Sequence, residues 1–134
     1  MPVVDASVYV AYAYAKDIAH ARSQAWMTSA VASSQILVAP ATFLAEVAGA
    51  ISRNSGRPRL AHSVIRHLLQ AELVTLMPVT VDVAERAAEI AADYKIKGAD
   101  AVYVALAEQL GDELVTLDQE QLQRGGTVVT TRQP

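Results

Sequence analysis

Five short runs rich in β-branched or large apolar residues punctuate this chain: Val3-Val4, Ile36-Leu37-Val38-Ala39, Leu73 to Met77, Leu114 to Leu117 and Thr127 to Thr130. Each is too brief to be a helix. Most read as nearly continuous apolar stretches rather than as an alternation of apolar and polar positions. Strands of that kind are covered on both faces, which is the condition of a parallel sheet packed between helices. Longer segments at helical spacing lie between the runs, so strand and helix alternate along the sequence. That pattern predicts an α/β sandwich with a parallel sheet.

The intervening segments carry recognisable punctuation. Ser7 stands at a natural helix start, and Val8 to Tyr14 reads as a buried strand passing into a short helix. Ile18 to Ser33 is expected to be helical with Ile18, Ala21, Ala25 and Met27 facing inward and Trp26 as a packing residue. Thr42 to Arg53 forms the next helix, stopped by Asn54-Ser55-Gly56. Pro58 opens another through Ala71, with Leu60, Val64, Leu68 and Leu69 as its apolar stripe. Thr80 caps a long helix to about Ile96, its inner face Val83, Ala87, Ile90, Ala91 and Tyr94, ended by Gly98. The Asp100 helix runs to Leu110, Gly111 stops it, and a helical turn from Gln119 leads to a Gly125-Gly126 break.

With 134 residues, 52% of them hydrophobic, the chain suits one domain over residues 1–134 with one core. It has no cysteine, which excludes disulfides and thiolate metal sites. No apolar run approaches the roughly 20 residues of a membrane-spanning helix, and no basic start precedes a signal-like core. A soluble cytoplasmic protein is the expectation. The formal charge of -3 does not advertise a nucleic-acid binder, although Arg53, Arg57, Arg59, His62, Arg66 and His67 crowd into one stretch. An ordinary solvated helix face accounts for that crowding equally well.

Four acids stand in unusual places. Asp5 and Asp118 each follow the last apolar residue of a strand, at the edge of a parallel sheet where ligands sit. Asp100 lies in the first turn of its helix, where backbone N–H groups favour an anion. Glu46 sits among Phe43, Leu44, Ala45, Val47, Ala48 and Ala50, with no lysine or arginine one turn away. A buried carboxylate without a partner costs several kcal/mol, so this one needs a cation, a donor or water. Each acid alone also fits a local role, as a helix cap or a dipole partner. Brought together they would repel one another unless a cation held them. Oxygen ligands without His or Cys suit Mg²⁺ or Mn²⁺, ions that bind phosphate oxygens and activate water.

Taken in order, Val4-Asp5-Ala6-Ser7, Glu46, Gly98-Ala99-Asp100-Ala101-Val102-Tyr103 and Leu114-Val115-Thr116-Leu117-Asp118 resemble the pattern of PIN-domain proteins, specifically the VapC type of toxin ribonuclease. The resemblance spans nearly the whole chain. It implies a three-layer α/β/α sandwich with a central, mostly parallel five-stranded sheet. It implies that Asp5, Glu46, Asp100 and Asp118 form an acidic quartet holding divalent metal, Mg²⁺ or Mn²⁺. Ser7 and Thr116 match small hydroxyl positions that would orient a carboxylate or a water. Cleavage of single-stranded RNA, a homodimer and a cognate small antitoxin protein follow from the same likeness. For the RNA path the candidates are Arg53, Arg57, Arg59, Lys95 and Lys97.

Two other readings compete with a toxin ribonuclease. An aspartyl-phosphate phosphotransferase also places an acid after its first strand, but needs a second carboxylate two residues on, where this chain has Ser7. A catalytically silent module that binds RNA or a protein partner is the third, which the intact acids disfavour.

Overall fold

Residues 1–134 are described by a computed structural model. At its centre is β1 (Val3–Val4), hydrogen-bonded on one side to β2 (Leu37–Pro40) and on the other to β4 (Leu114–Val115). β3 (Val74–Met77) pairs with β2, and β5 (Thr131–Arg132) pairs with β4. The order is β3-β2-β1-β4-β5, and every pairing is parallel. Seven α-helices flank the sheet: α1 (Ala6–Ala13), α2 (His20–Ala32), α3 (Phe43–Ser55), α4 (Pro58–Ala71), α5 (Val81–Tyr94), α6 (Gly98–Leu110) and α7 (Gln119–Arg124). The five-stranded three-layer α/β/α architecture is therefore the one expected, with a sheet parallel throughout. No helix is long and apolar enough to cross a membrane.

β1, β2 and β4 are buried at every position, as continuous apolar runs require. On α3, Phe43, Val47 and Ile51 recur every four residues and are fully buried, leaving the flanks of that helix half open. α6 is deeply set along its middle, with Ala101 and Tyr103 through Ala107 all in the core. Tyr9 meets Phe43 edge to face at 5.7 Å between centroids.

The structure corrects several sequence expectations. Val8 to Ala13 contains no strand, because Asp5 caps α1 directly after β1 and the chain is helical from Ala6. Val8, Tyr9, Val10 and Ala11 are all buried, and a helix enclosed on every side loses the periodicity that separates it from a buried strand. Ile18 does not face inward. It is fully exposed in the turn before α2, whose inner face is Ser23, Met27 and Ala30 rather than Ala21 and Ala25. Leu69 and Tyr94 likewise stand exposed. α5 ends at Tyr94 because Lys95 adopts a left-handed conformation (φ 55°), and Gly98 begins α6 instead of terminating α5. The last strand is not Thr127 to Thr130. Gly125 to Thr127 form a 3-10 turn, and the amides of Val128 and Val129 both donate to the Gly125 carbonyl, so pairing with β4 starts only at Thr131.

Candidate metal centre

Register places the first two groups. Val3 aligns with Leu114 and Val4 with Val115, so Asp5 and Thr116 emerge side by side at the carboxyl edge of the sheet. The Asp5 amide donates to the Val115 carbonyl at 2.9 Å, fixing that alignment. Asp5 is 5% exposed and caps α1: its Oδ2 accepts from the Ser7 amide at 3.0 Å and the Ser7 hydroxyl at 2.5 Å. The Ser7 oxygen in turn accepts from the Leu117 amide at 3.1 Å, tying α1 to the segment after β4.

Thr116, fully buried, donates its hydroxyl to Gln121 Oε1 at 2.6 Å and accepts from the Asp118 amide at 3.0 Å. Gln121 is also completely buried, and its Nε2 reaches Asp5 Oδ1 at 3.3 Å and the Asp100 carbonyl at 3.5 Å. Asp118 caps α7 by accepting the Gln121 amide on Oδ1 at 2.9 Å. Capping is thus a real role of Asp5 and Asp118. It occupies Oδ1 alone on Asp118, leaving that residue's second oxygen without a protein donor.

Glu46 projects from the first turn of α3, half-buried, and accepts the Tyr103 hydroxyl at 2.9 Å. The donor that a carboxylate in these surroundings needs therefore comes from α6. Asp5, Glu46 and Asp100 line one cleft of about 780 Å³ together with Ser7. Asp118 lies outside that lining, but one carboxylate oxygen from each of Asp118, Asp100 and Glu120 lies within 4.8 Å of the other two. Asp100 thus belongs to both groupings. Glu120 joins as an acid that sequence reasoning missed, lying in a polar run that reads as surface, and it pairs with Arg124 at 2.5 Å.

Mutual repulsion is visible in the protonation of the cleft. Burial pushes the Glu46 carboxyl up to about 7, with Asp5 and Asp100 adding to the rise and the Tyr103 hydrogen bond opposing it. Asp100 is pushed up to about 6, first by burial and then by the charges of Asp5 and Asp118. Asp5 is raised by burial against the opposing bonds from Ser7 and Gln121. None of Asp5, Glu46, Asp100 and Asp118 is in an ion pair with a lysine or arginine. A set of carboxylate oxygens outside any ion pair, two of them (Glu46 and Asp100) raised in part by neighbouring charge, fits a hard divalent ion.

Of the basic candidates, Arg53 lines the cleft and Lys97, the residue before α6, bears on the charge of Asp100. Arg57 and Arg59, exposed at the start of α4, do not line it, nor does Lys95, whose carbonyl receives Arg124. Arg22 of α2 does, and sequence reasoning overlooked it.

Several solved structures share the whole fold. Mycobacterium tuberculosis VapC20, described as a sarcin-ricin loop cleaving toxin, superposes with a TM-score of 0.79 at 20% identity over 100% of both chains. FitAcB from Neisseria gonorrhoeae gives 0.74 at 20% identity, covering 98% of this chain and 96% of that one. VapBC2 from Rickettsia felis, bound to a DNA fragment from its promoter, gives 0.71 at 12% identity over 98% and 97%. No curated protein sequence matches this one. The family model of the PIN domain matches residues 3–126, nearly the full length. With that match and this architecture, the chain belongs to the PIN domain family.

Proposed function

We propose that this protein is a Mg²⁺- or Mn²⁺-dependent endoribonuclease that hydrolyses phosphodiester bonds of single-stranded RNA, acting as one domain over residues 1–134. One observation carries the reading. Asp5, Glu46 and Asp100, from segments far apart in sequence, share one cleft at the carboxyl edge of a parallel sheet, and none of them forms an ion pair. Asp5, Glu46, Asp100 and Asp118 would hold the ion, with Glu120 beside the last two. When bound, a divalent ion supplies charge for the phosphate oxygens and lowers the pKa of water.

The protein's own groups have distinct tasks. Ser7 and Gln121 hold the Asp5 carboxylate by one oxygen each, so that its lone pairs keep a fixed direction. Thr116 fixes Gln121 in the orientation that presents N–H rather than oxygen to Asp5. Tyr103 donates to Glu46 and opposes the rise that burial imposes on its carboxyl.

A role as the toxin of a type II toxin-antitoxin pair in the cytoplasm, working as a homodimer, extends this reading. Its support is the similarity to VapC20, described as a toxin, and to a structure described as a toxin-antitoxin complex from Klebsiella pneumoniae, matching with a TM-score of 0.63 at 14% identity. A small antitoxin is the expected partner.

The deciding experiment incubates purified protein with single-stranded RNA and Mg²⁺ or Mn²⁺, with and without chelator, beside Asp5→Asn. Cleavage confined to the metal-containing wild type is the expected result. Equal cleavage by Asp5→Asn, or none by the wild type with either ion, overturns the assignment.

A further inference from the structure

Two guanidinium groups share the cleft with the acids and pair with none of them. Arg22 donates Nη1 to the Gln133 side chain at 2.8 Å, while Arg53 has no acceptor in the protein. Beneath Arg53 lies Gly49, one turn back on α3. Glycine inside a helix is unfavourable relative to alanine, so its presence there calls for a local reason. The three heavy atoms nearest to where a Gly49 side chain would begin all belong to the Arg53 guanidinium, with Nη1 at 2.9 Å. No atom of another element comes nearer to that point than these. What the missing side chain accommodates is Arg53 itself, its head folded back along α3, and Arg53 is among the residues that line the cleft.

We propose that Arg53, seated across Gly49, and Arg22 form an anion subsite of the acid cleft that grips a phosphodiester of the RNA strand next to the one cleaved. The inference rests on the nuclease reading and adds a substrate contact to it. A guanidinium presents five N–H donors in a planar fork that matches a phosphate's oxygens, and here those of Arg53 have no competing protein acceptor. Carboxylates on the floor of the cleft would repel a polyanion, and positive groups on the same lining offset that repulsion where the strand passes. Arg53 takes the larger share, because Arg22 is already engaged by Gln133.

The test measures binding of a short single-stranded RNA by fluorescence anisotropy in chelator, cleavage kinetics with Mn²⁺, and thermal melting. Arg53→Ala should weaken binding about tenfold and reduce the slope of log K against log salt by about 0.7, the value of one phosphate contact on a single strand. Gly49→Ala should raise the Tm by about 2–4 °C, as a helix gains alanine. Binding by Gly49→Ala should nevertheless weaken several-fold, with a higher KM. In an Arg53→Ala background, Gly49→Ala should change binding no further. The subsite is overturned if Gly49→Ala binds RNA as the wild type does, or weakens it equally without Arg53. RNA binding that follows this pattern without any metal-dependent cleavage sinks the nuclease reading and leaves the subsite standing. Cleavage with Arg53→Ala and Gly49→Ala both indistinguishable from wild type does the reverse.

Discussion

Gln121, wholly out of contact with water, gives Nε2–H to Asp5 Oδ1 at 3.3 Å and receives the Thr116 hydroxyl on Oε1 at 2.6 Å. A hydroxyl has a single proton, and the shorter distance assigns that of Thr116 to Gln121 rather than to Asp5 at 3.3 Å. The amide is thereby locked, because the flipped form would set oxygen against a carboxylate.

Replacing Gln121 by leucine strands both partners in the interior. Gln121→Leu is expected to lose about 1–3 kcal/mol of stability in urea denaturation, the cost of leaving buried polar groups unsatisfied. The variant should also bind Mn²⁺ about 10–100-fold more weakly by calorimetry, because Asp5 loses the donor that orients it. Unchanged stability and affinity would show the network to be dispensable.

The pH dependence of stability has a defined sign. Glu46 is raised from 4.5 to about 7 and Asp100 from 3.8 to about 6, so each binds its proton more tightly folded than unfolded. In chelator, the contribution of Glu46 is fully present below pH 4.5 and lost as pH rises toward about 7; that of Asp100 is lost between 3.8 and about 6. Melting curves of the wild type should therefore fall more steeply across this window than those of Glu46→Gln. Added Mg²⁺ should reverse the trend, raising Tm more at pH 7 than at pH 5, since the ion selects the charged carboxylates. A slope identical in Glu46→Gln would disprove the assignment to that residue.

Asp118 has two separable jobs. Asparagine caps a helix as well as aspartate does, so Asp118→Asn should stay within about 0.5 kcal/mol of the wild type in denaturation. Cleavage should nonetheless be abolished, since the amide lacks the charge that an ion requires. Glu120 is already offset by Arg124, and Glu120→Gln should weaken Mn²⁺ binding only a few-fold. A cleaving Asp118→Asn enzyme contradicts the proposed ligand set.

Tyr103→Phe removes the donor that favours the charged form of Glu46. The variant should lose about 1 kcal/mol of stability. Its activity should fall first on the acid side, with that limb of the pH–rate profile displaced toward higher pH, because the hydrogen bond opposes the rise of the Glu46 carboxyl. A profile superimposable on the wild type would show that the bond does not act on Glu46 during turnover.

The sheet was legible in the sequence because covered parallel strands leave continuous apolar runs, as at Leu37 to Ala39. α1 was not, since a helix buried at Val8 through Ala11 leaves no polar stripe. The shift of the last strand to Thr131 depends on a 3-10 turn in which Gly125 packs under Val104, a contact no local pattern encodes. Similarly, the acids stood out by their places after strands and inside an apolar helix. Their partners did not. Tyr103 reads as core, and Gln121 sits in the run Gln119-Glu120-Gln121, which reads as surface until α7 is seen packed over the end of the sheet.

Because β1 is clamped between β2 and β4, Val3 and Val4 have no neighbour on one side until Leu114 and Val115 have been translated. Asp5 must wait longer still, for Gln121. A nascent polypeptide paused just short of Gln121 carries Asp5, Glu46, Asp100 and Asp118 but lacks the amide that fixes the first of them, so any hydrolytic power of this chain is withheld until that residue has been made.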